Sequence, residues 1–198
     1  LDRASDEAKK QGSSRALRLF FKSNKIAEAA WLAKKLQQRG IEHPKLLQLE
    51  RILAAQFKAK PESRAIVFNH YRSSINKLVD FLQKNEVIRP KKFIGQATKG
   101  KDKGMSQKEQ VAIIQQLKEG KYNCLVASSV AEEGLDIPTV DLVIFYEAVP
   151  SEIRSIQRRG RTARQEKGRL IILITKNTRD EAYHWTSFHK EKRMYSIL

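Results

Sequence analysis

The sequence has one cysteine, no long apolar run and few acidic residues for its number of basic ones. A single cysteine, Cys124, excludes an internal disulfide and a cysteine-rich zinc site, which suits a reducing compartment. No apolar run reaches the length of a membrane span, and the N-terminal residues have no signal-peptide pattern. We therefore expect an intracellular protein, cytoplasmic in a prokaryote or nuclear in a eukaryote. Because the sequence begins without Met, we also expect it to be a piece of a longer chain.

Several common catalytic patterns are also missing. The phosphate-binding loop G-x-x-x-x-G-K-[ST] is absent, and the lysine–glycine pairs between residues 99 and 104 have the wrong spacing for it. No G-x-G-x-x-G turn follows an early strand, which argues against a Rossmann enzyme. The acidic run Asp6–Lys9 has no apolar strand before it, so we interpret it as chance and not as a Mg²⁺-binding motif. The four histidines lack metal-ligand spacing; they are His43, His70, His184 and His189.

Positive charge is what the sequence has in excess. Lys and Arg number 39 against 22 Asp and Glu, which gives a net charge of +17 and a pI near 10.1 over 198 residues. Such a charge attracts polyanions, and nucleic acid is the commonest polyanion inside a cell. A membrane surface is the alternative, but no amphipathic segment combines a basic face with a large aromatic one. The apolar fraction of 40% is enough for a folded core.

The order of predicted elements divides the chain into an appendage and a domain. Apolar residues at helical spacing from Leu17 to Leu36, with Gly40 as the end, predict a helical segment over residues 1–42 that packs against a neighbour. A second helix runs from Pro44 toward Lys60. Beyond it, short apolar strands alternate with amphipathic helices, which is typical of a doubly wound α/β sheet with helices on both faces. We assign residues 43–198 to this domain, with a last helix from about residue 178.

The strands of this domain are predicted at residues 64–69, 92–94, 122–127, 141–146 and 170–175. Several are apolar on both faces, notably the last, which predicts a parallel sheet that is covered on both sides. Before the fourth predicted helix, Ser106 and Glu109 have the spacing of a capping box.

A dense arginine cluster stands between the last two predicted strands. Residues 157–164, Gln-Arg-Arg-Gly-Arg-Thr-Ala-Arg, place four guanidinium groups around one glycine. Arginine cannot lose its proton at neutral pH, and its planar fork of donors matches phosphate oxygens. A polyphosphate site is one interpretation, and a solvated basic helix end is the other.

Polar loops follow four of the predicted strands, at residues 69–74, 95–104, 128–138 and 147–150. Any one of them can be an ordinary turn or helix cap. In a parallel sheet, however, the carboxyl ends of the strands share one edge, and ligands bind there. Four loops with hydroxyls, cations and backbone donors at one edge predict a site for a phosphodiester backbone.

Four segments resemble conserved motifs of superfamily 2 helicases. Residues 126–138 resemble motif V, 157–164 motif VI, 65–72 motif IV, and 104–110 the nucleic-acid-binding segment that follows. The chain is most similar to archaeal Hef and the Fanconi-anaemia M helicases, with double-stranded-RNA sensors and Dicer next. The resemblance implies the second RecA-like domain of such a motor. It also implies that the helices before residue 60 are the end of a helical insertion between the two RecA-like domains.

The resemblance implies a nucleotide site that is formed mainly by another domain and to which this chain contributes a few residues. Arg161 and Arg164 match arginine fingers that reach the γ-phosphate of ATP, which is held with Mg²⁺ mainly by the first RecA-like domain. Gln157 matches the residue that couples motif VI to that domain, and Arg158 is expected to support the segment. Asp136 matches the acid that accepts from the nucleotide ribose, and Gly134 allows a close backbone approach. Ala163 departs from the family, which commonly has Gly there.

The resemblance also implies a face that binds phosphates without reading bases. Its residues match Arg72, Ser106, Gln107, Ser128 and Ser129. The implied function is an ATP-dependent helicase or translocase that acts on forked or branched DNA. Because the phosphate-binding loop and the Mg²⁺ acid are absent, we expect no ATPase activity from this chain alone. The alternatives are a double-stranded-RNA-directed ATPase and a non-catalytic nucleic-acid-binding module.

Overall fold

The computed structural model describes residues 14–96, 104–128, 140–147 and 168–186. The chain divides into two compact units, Leu1–Pro44 and Lys45–Leu198.

The described part of the first unit consists of two helices. Helix α1 spans Arg15–Lys22 and helix α2 spans Asn24–Gln38. Ser23 lies between them in an extended conformation (φ −68°, ψ 129°), so the described helical segment consists of two helices. Gly40 has φ +67°, and this left-handed conformation ends the helical segment as predicted.

Several large apolar side chains described in this unit are exposed. Trp31 and Leu32 are 59% and 51% exposed, and no described side chain of α2 is buried. The Lys35 ammonium lies 4.6 Å from the centroid of the Trp31 ring, on the same helix.

The second unit contains a five-stranded parallel sheet, and all five predicted strands are present in it, most of them shorter than predicted. In chain order the elements are α3 (Pro44–Ala59), β1 (Ala65–Phe68), α4 (Arg72–Leu82), β2 (Pro90–Phe93), α5 (Gln107–Lys118), β3 (Cys124–Ala127), β4 (Leu142–Phe145), β5 (Arg169–Ile172) and α6 (helical over 179–186). The strand order is β2-β3-β1-β4-β5. In the centre of the sheet, Phe68 pairs with Ala127 on one side and Phe145 on the other.

Burial follows this strand order. Every residue of β1, β3 and β4 is buried, because each of these strands has a neighbour on both sides. Strand β5 is at the edge, with Arg169 exposed and the other three residues half-buried. Its apolar residues nevertheless pack on both faces of the sheet, as predicted: Ile171 contacts the core on one face, and Leu170 and Ile172 contact the core on the other.

Helices cover both faces of the sheet, as predicted. On one face, α3 and α4 pack against alternate strand residues, among them Ala65, Val67, Val126 and Ile144. On the other face, α5 packs against the residues between them, among them Ile66, Phe68, Leu125 and Phe145. Leu49 and Leu53 of α3 are completely buried in the first of these cores. Helix α3 is therefore part of the sheet domain, although the resemblance grouped it with the insertion.

Candidate nucleic-acid interface

The carboxyl ends of the five strands form one edge of the sheet. Because all strand pairs are parallel, the segments after Phe68, Phe93, Ala127, Phe145 and Ile172 leave the sheet on the same side. This is the edge at which open parallel sheets bind ligands.

Two buried polar side chains lie next to each other at the centre of this edge. Asn69 follows β1 and Ser128 follows β3, and they are 1% and 4% exposed. The Asn69 N–H donates to the Ala127 carbonyl (2.9 Å), and the Ser128 N–H donates to the Phe93 carbonyl (3.0 Å), so both residues continue the sheet. Asn69 Oδ1 accepts from the Tyr71 N–H (3.2 Å), which directs the amide nitrogen away from that turn.

Each of these two side chains has one more polar atom to satisfy. In the part of the chain that the structure describes, Asn69 Nδ2 and Ser128 Oγ are the buried side-chain N and O atoms without a hydrogen bond. Such an atom costs about 1–3 kcal/mol, and in native proteins it calls for a reason. Both atoms can donate to a phosphate oxygen. Ser128 is a predicted phosphate-binding residue. Asn69 lies in one of the predicted polar loops, but no function was predicted for it.

The opposite edge of the sheet provides a contrast. Asn123, which is 2% exposed and precedes β3, accepts from the Arg89 N–H (2.8 Å) and donates to the Val87 carbonyl (2.8 Å). Asp141, which precedes β4, accepts from Lys60 Nζ (3.1 Å) and the Arg64 N–H (3.0 Å). Burial raises the pKa of Asp141, but these two donors outweigh it and hold the pKa below its usual value. At the amino edge these polar groups are satisfied within the fold.

The segment before α5 is held at the carboxyl edge by β2. Gln110 is buried, and its Nε2 donates to the Ile94 carbonyl (2.8 Å), while the Met105 N–H donates to the Gly95 carbonyl (3.0 Å). These bonds bring Ser106 and the exposed Gln107 close to the edge. The sequence offered no signal for Gln110 beyond its position on the apolar face of α5.

The predicted capping box of Ser106 is confirmed. Ser106 Oγ accepts from the Glu109 N–H (3.3 Å), and Glu109 Oε2 accepts from the Ser106 N–H and hydroxyl (both 2.7 Å). The hydroxyl therefore already has two partners within the helix start. A phosphate contact at Ser106 would have to compete with the carboxylate for the hydroxyl proton.

We expect Ser106→Ala to lower the free energy of unfolding by about 0.5–2 kcal/mol, because it removes the cap of α5. Ser106→Asp, which keeps an acceptor for the Glu109 N–H, should retain much of that stability. Chemical unfolding of both variants measures the difference. Equal losses in the two variants would contradict a capping role.

The residues that lead into α4 also lie at the carboxyl edge. His70 and Tyr71 are exposed, and their rings meet edge-to-face with centroids 5.1 Å apart. Arg72 is the first residue of α4, and its side chain lies outside the described residues. The Arg72 backbone therefore lies close to the carboxyl edge of the sheet.

A cluster of polar contacts connects α3 to three of the strand ends. Its residues are Lys45, His70, Glu147 and Asp180. Lys45 is only 9% exposed; its Nζ donates to the Tyr146 carbonyl (3.0 Å) and forms an ion pair with Asp180. Asp180 also accepts from the Thr175 N–H (3.2 Å), and Glu147 accepts from the His70 N–H (3.0 Å). Sequence reasoning missed this cluster, because its members are up to 135 residues apart in the numbering, from Lys45 to Asp180.

Burial acts on both carboxylates of the cluster, with opposite net results. It raises the pKa of Glu147, and the His70 N–H and the nearby Lys45 only partly oppose it. It also raises the pKa of Asp180, but Lys45 and the Thr175 N–H outweigh it and leave that pKa below its usual value.

The remaining predicted site residues lie outside the described residues. They are Gly134, Asp136, Gln157, Arg158, Arg161, Arg164 and Ser129. Within the described ranges, no group of three or more His, Cys, Asp or Glu side chains is placed to hold a metal ion. None of the described helices is both long enough and apolar enough to cross a membrane.

Comparison with known families decides what this domain is. The profile of the helicase conserved C-terminal domain matches residues 44–166, which begin at α3 and include the predicted motifs IV, V and VI. The chain belongs to this helicase family. The match begins at the same residue as α3, which agrees with the packing of that helix in the core of the sheet domain.

Similar proteins include members of the helicase groups that the motifs of this chain resemble. A candidate ATP-dependent RNA helicase of Methanocaldococcus jannaschii is 45% identical over 88% of this chain and 22% of its own length. The mouse Fanconi anemia group M protein homolog is 38% identical over 79% of the chain and 8% of its own length. The ATP-dependent DNA helicase mph1 of Aspergillus fumigatus is 36% identical over 79% of the chain and 15% of its own length.

A solved structure supports the same assignment. The Pyrococcus furiosus Hef helicase domain superposes with a TM-score of 0.69 and 46% identity, over 94% of this chain and 37% of that one. The prediction of a RecA-like superfamily 2 helicase domain, close to Hef and the Fanconi-anaemia M group, is confirmed. The chain spans less than a quarter of the length of these curated relatives.

Proposed function

We propose that the chain is the C-terminal motor domain of an ATP-dependent helicase or translocase that acts on forked or branched DNA inside the cell. The single observation that carries the proposal is a pair of buried donors, Asn69 and Ser128, at the carboxyl edge of a helicase-family sheet; neither has a hydrogen-bond partner among the described residues. The names of the fungal relatives, which contain the term DNA helicase, support DNA as the substrate.

On the nucleic-acid side, the proposed contacts are phosphate contacts from Arg72, Ser106, Gln107, Ser128 and Ser129. Of these, the described side chains of Ser106, Gln107 and Ser128 lie at or near one edge of the sheet. The net charge of +17 attracts the strand from a distance, and contacts to the backbone make binding independent of base sequence.

On the nucleotide side, the proposed roles rest on the motif VI and motif V residues. ATP and Mg²⁺ are held mainly by the first RecA-like domain, and Arg161 and Arg164 supply positive charge to the γ-phosphate. Gln157 and Arg158 connect this segment to the partner domain, while Gly134 and Asp136 contact the nucleotide side of the cleft. ATP brings the two domains together and hydrolysis releases them, which moves the strand.

A second candidate is a double-stranded-RNA-directed ATPase. The name of the M. jannaschii relative, which contains the term RNA helicase, favours it. A motor of either kind would share the phosphate-binding edge, because contacts to the backbone alone do not read the base sequence.

Strand separation by the full-length parent protein tests the proposal. We expect ATP-dependent unwinding of forked DNA at a rate well above that of a duplex RNA of the same length. The same protein without ATP is the control. Faster unwinding of RNA would favour the second candidate, and salt-sensitive binding that ATP does not change would point to a non-catalytic module.

A further inference from the structure

Glu147 lies where two strand ends of the proposed interface meet. It is the second residue after β4, is half-buried, and accepts the His70 N–H through Oε2 at 3.0 Å. His70 is the second residue after β1 and stands two residues before Arg72. The carboxylate therefore ties the segment that leads into α4 to the end of the neighbouring strand, 77 residues away along the chain.

The backbone next to Glu147 is held in turn by contacts from α3 and α6. Lys45 Nζ donates to the carbonyl of Tyr146, directly before Glu147, and pairs with Asp180. Asp180 accepts the Thr175 N–H after β5. The titratable groups near Glu147 are thus His70 from the β1 end, Lys45 from α3 and Asp180 from α6. Together these contacts join three strand ends and the starts of α3 and α6 in one polar network.

Burying a carboxylate is unfavourable unless it gains compensating contacts. Glu147 is half-buried, and its Oε2 accepts a hydrogen bond from the backbone N–H of the exposed residue His70. This hydrogen bond offsets part of the free energy that it costs to bury the carboxylate. A contact of this kind fixes the direction in which the loop presents the residues that follow.

We propose that Glu147 is a positioning residue, which holds the His70–Arg72 loop in the conformation that binds a nucleic-acid phosphate. This inference rests on the proposed function, because it gives the loop a phosphate to bind. Glu147 does not touch the strand itself, and its effect passes through the loop backbone.

The experiment measures DNA-stimulated ATPase of the full-length parent at increasing concentrations of forked DNA. We expect Glu147→Ala to raise the half-stimulating DNA concentration on the order of tenfold, as for the loss of one charge-assisted hydrogen bond, with a much smaller change at saturating DNA. Glu147→Gln keeps a side-chain oxygen for the His70 N–H and should recover most of the wild-type affinity. Thermal unfolding of each variant shows whether the fold is retained.

The matched control is Glu50→Ala. Glu50 lies on α3 and accepts from Asn85 Nδ2 at 2.9 Å, so its loss also removes one carboxylate hydrogen bond, but ahead of β2 at the amino edge. It should leave the half-stimulating DNA concentration unchanged. If Glu147→Ala behaves like Glu50→Ala, or if Glu147→Gln is as impaired as Glu147→Ala, Glu147 is not a positioning residue.

A double-mutant cycle with Arg72→Ala separates this proposal from the proposed function. If Glu147 acts through the loop, the double variant should be about as weak as Arg72→Ala alone, so the two losses do not add. Additive losses overturn the inference but leave the motor proposal intact. A wild-type parent whose ATPase ignores nucleic acid overturns the proposed function and the inference with it.

Discussion

Alanine at Arg161 or at Arg164 should reduce the ATPase rate of the full-length parent protein by about 10³- to 10⁵-fold. The transferred phosphoryl group passes through a metaphosphate-like transition state whose charge needs cationic groups close to its oxygens. An arginine supplies that charge at any working pH and with a fixed fork of donors. Removing it deprives the transition state of stabilisation that neighbouring lysines cannot replace in the same geometry.

Arg51→Ala is the matched control, because Arg51 is an exposed arginine of α3 in the same domain. It should leave the ATPase rate within about twofold of wild type, as surface substitutions commonly do. ATP affinity is measured separately, so that lost catalysis is not mistaken for lost binding. A rate that is unchanged in both Arg161→Ala and Arg164→Ala would show that neither residue is an arginine finger.

Mixing experiments extend this test to the chain by itself. The isolated chain should hydrolyse no ATP, since it has no phosphate-binding loop in its sequence. Adding a separately produced first RecA-like domain and DNA should restore activity, and the Arg161→Ala chain should fail to do so.

Phe68→Ala should lower the free energy of unfolding of the chain by about 3–5 kcal/mol. Phe68 is completely buried at the end of the central strand β1, and its ring centroid lies 5.7 Å from that of Phe145. The substitution leaves a cavity between the sheet and α5, where the strands on either side restrict collapse. A loss of this size is a large part of the roughly 5–15 kcal/mol that stabilises a typical domain.

Phe20→Ala provides the comparison, because Phe20 is 51% exposed in α1. Urea unfolding followed by circular dichroism should show a change of about 0.5 kcal/mol or less for this variant. If the Phe68→Ala chain unfolds at the same urea concentration as the Phe20→Ala chain, the assignment of Phe68 to the core is wrong.

Local patterns predicted much of the sheet domain. The period of the apolar residues located α4, the capping box located the start of α5, and the five apolar runs located the five strands. These signals involve residues close together in the sequence, and the backbone responds to them directly. The break at Ser23 was missed, because Ser23 makes no side-chain cap and leaves the apolar period on both sides intact.

Such local signals did not predict the order of the strands in the sheet. Leu170–Ile172 reads like a central strand, yet β5 is at the edge and half-buried. Apolar composition shows that a strand contacts a core, whereas its place in the sheet depends on which other strands it pairs with.

By itself, the sequence determined the class of the protein: a basic, parallel α/β domain with helicase motifs and without the loop that would hold ATP. The tertiary structure decided which polar groups share the carboxyl edge. It placed Asn69 and Ser128 directly after paired residues of two neighbouring strands and joined Lys45 to Asp180 and Glu147 to His70. Such pairs are formed by residues far apart in the chain, which only the folded sheet brings within hydrogen-bond distance.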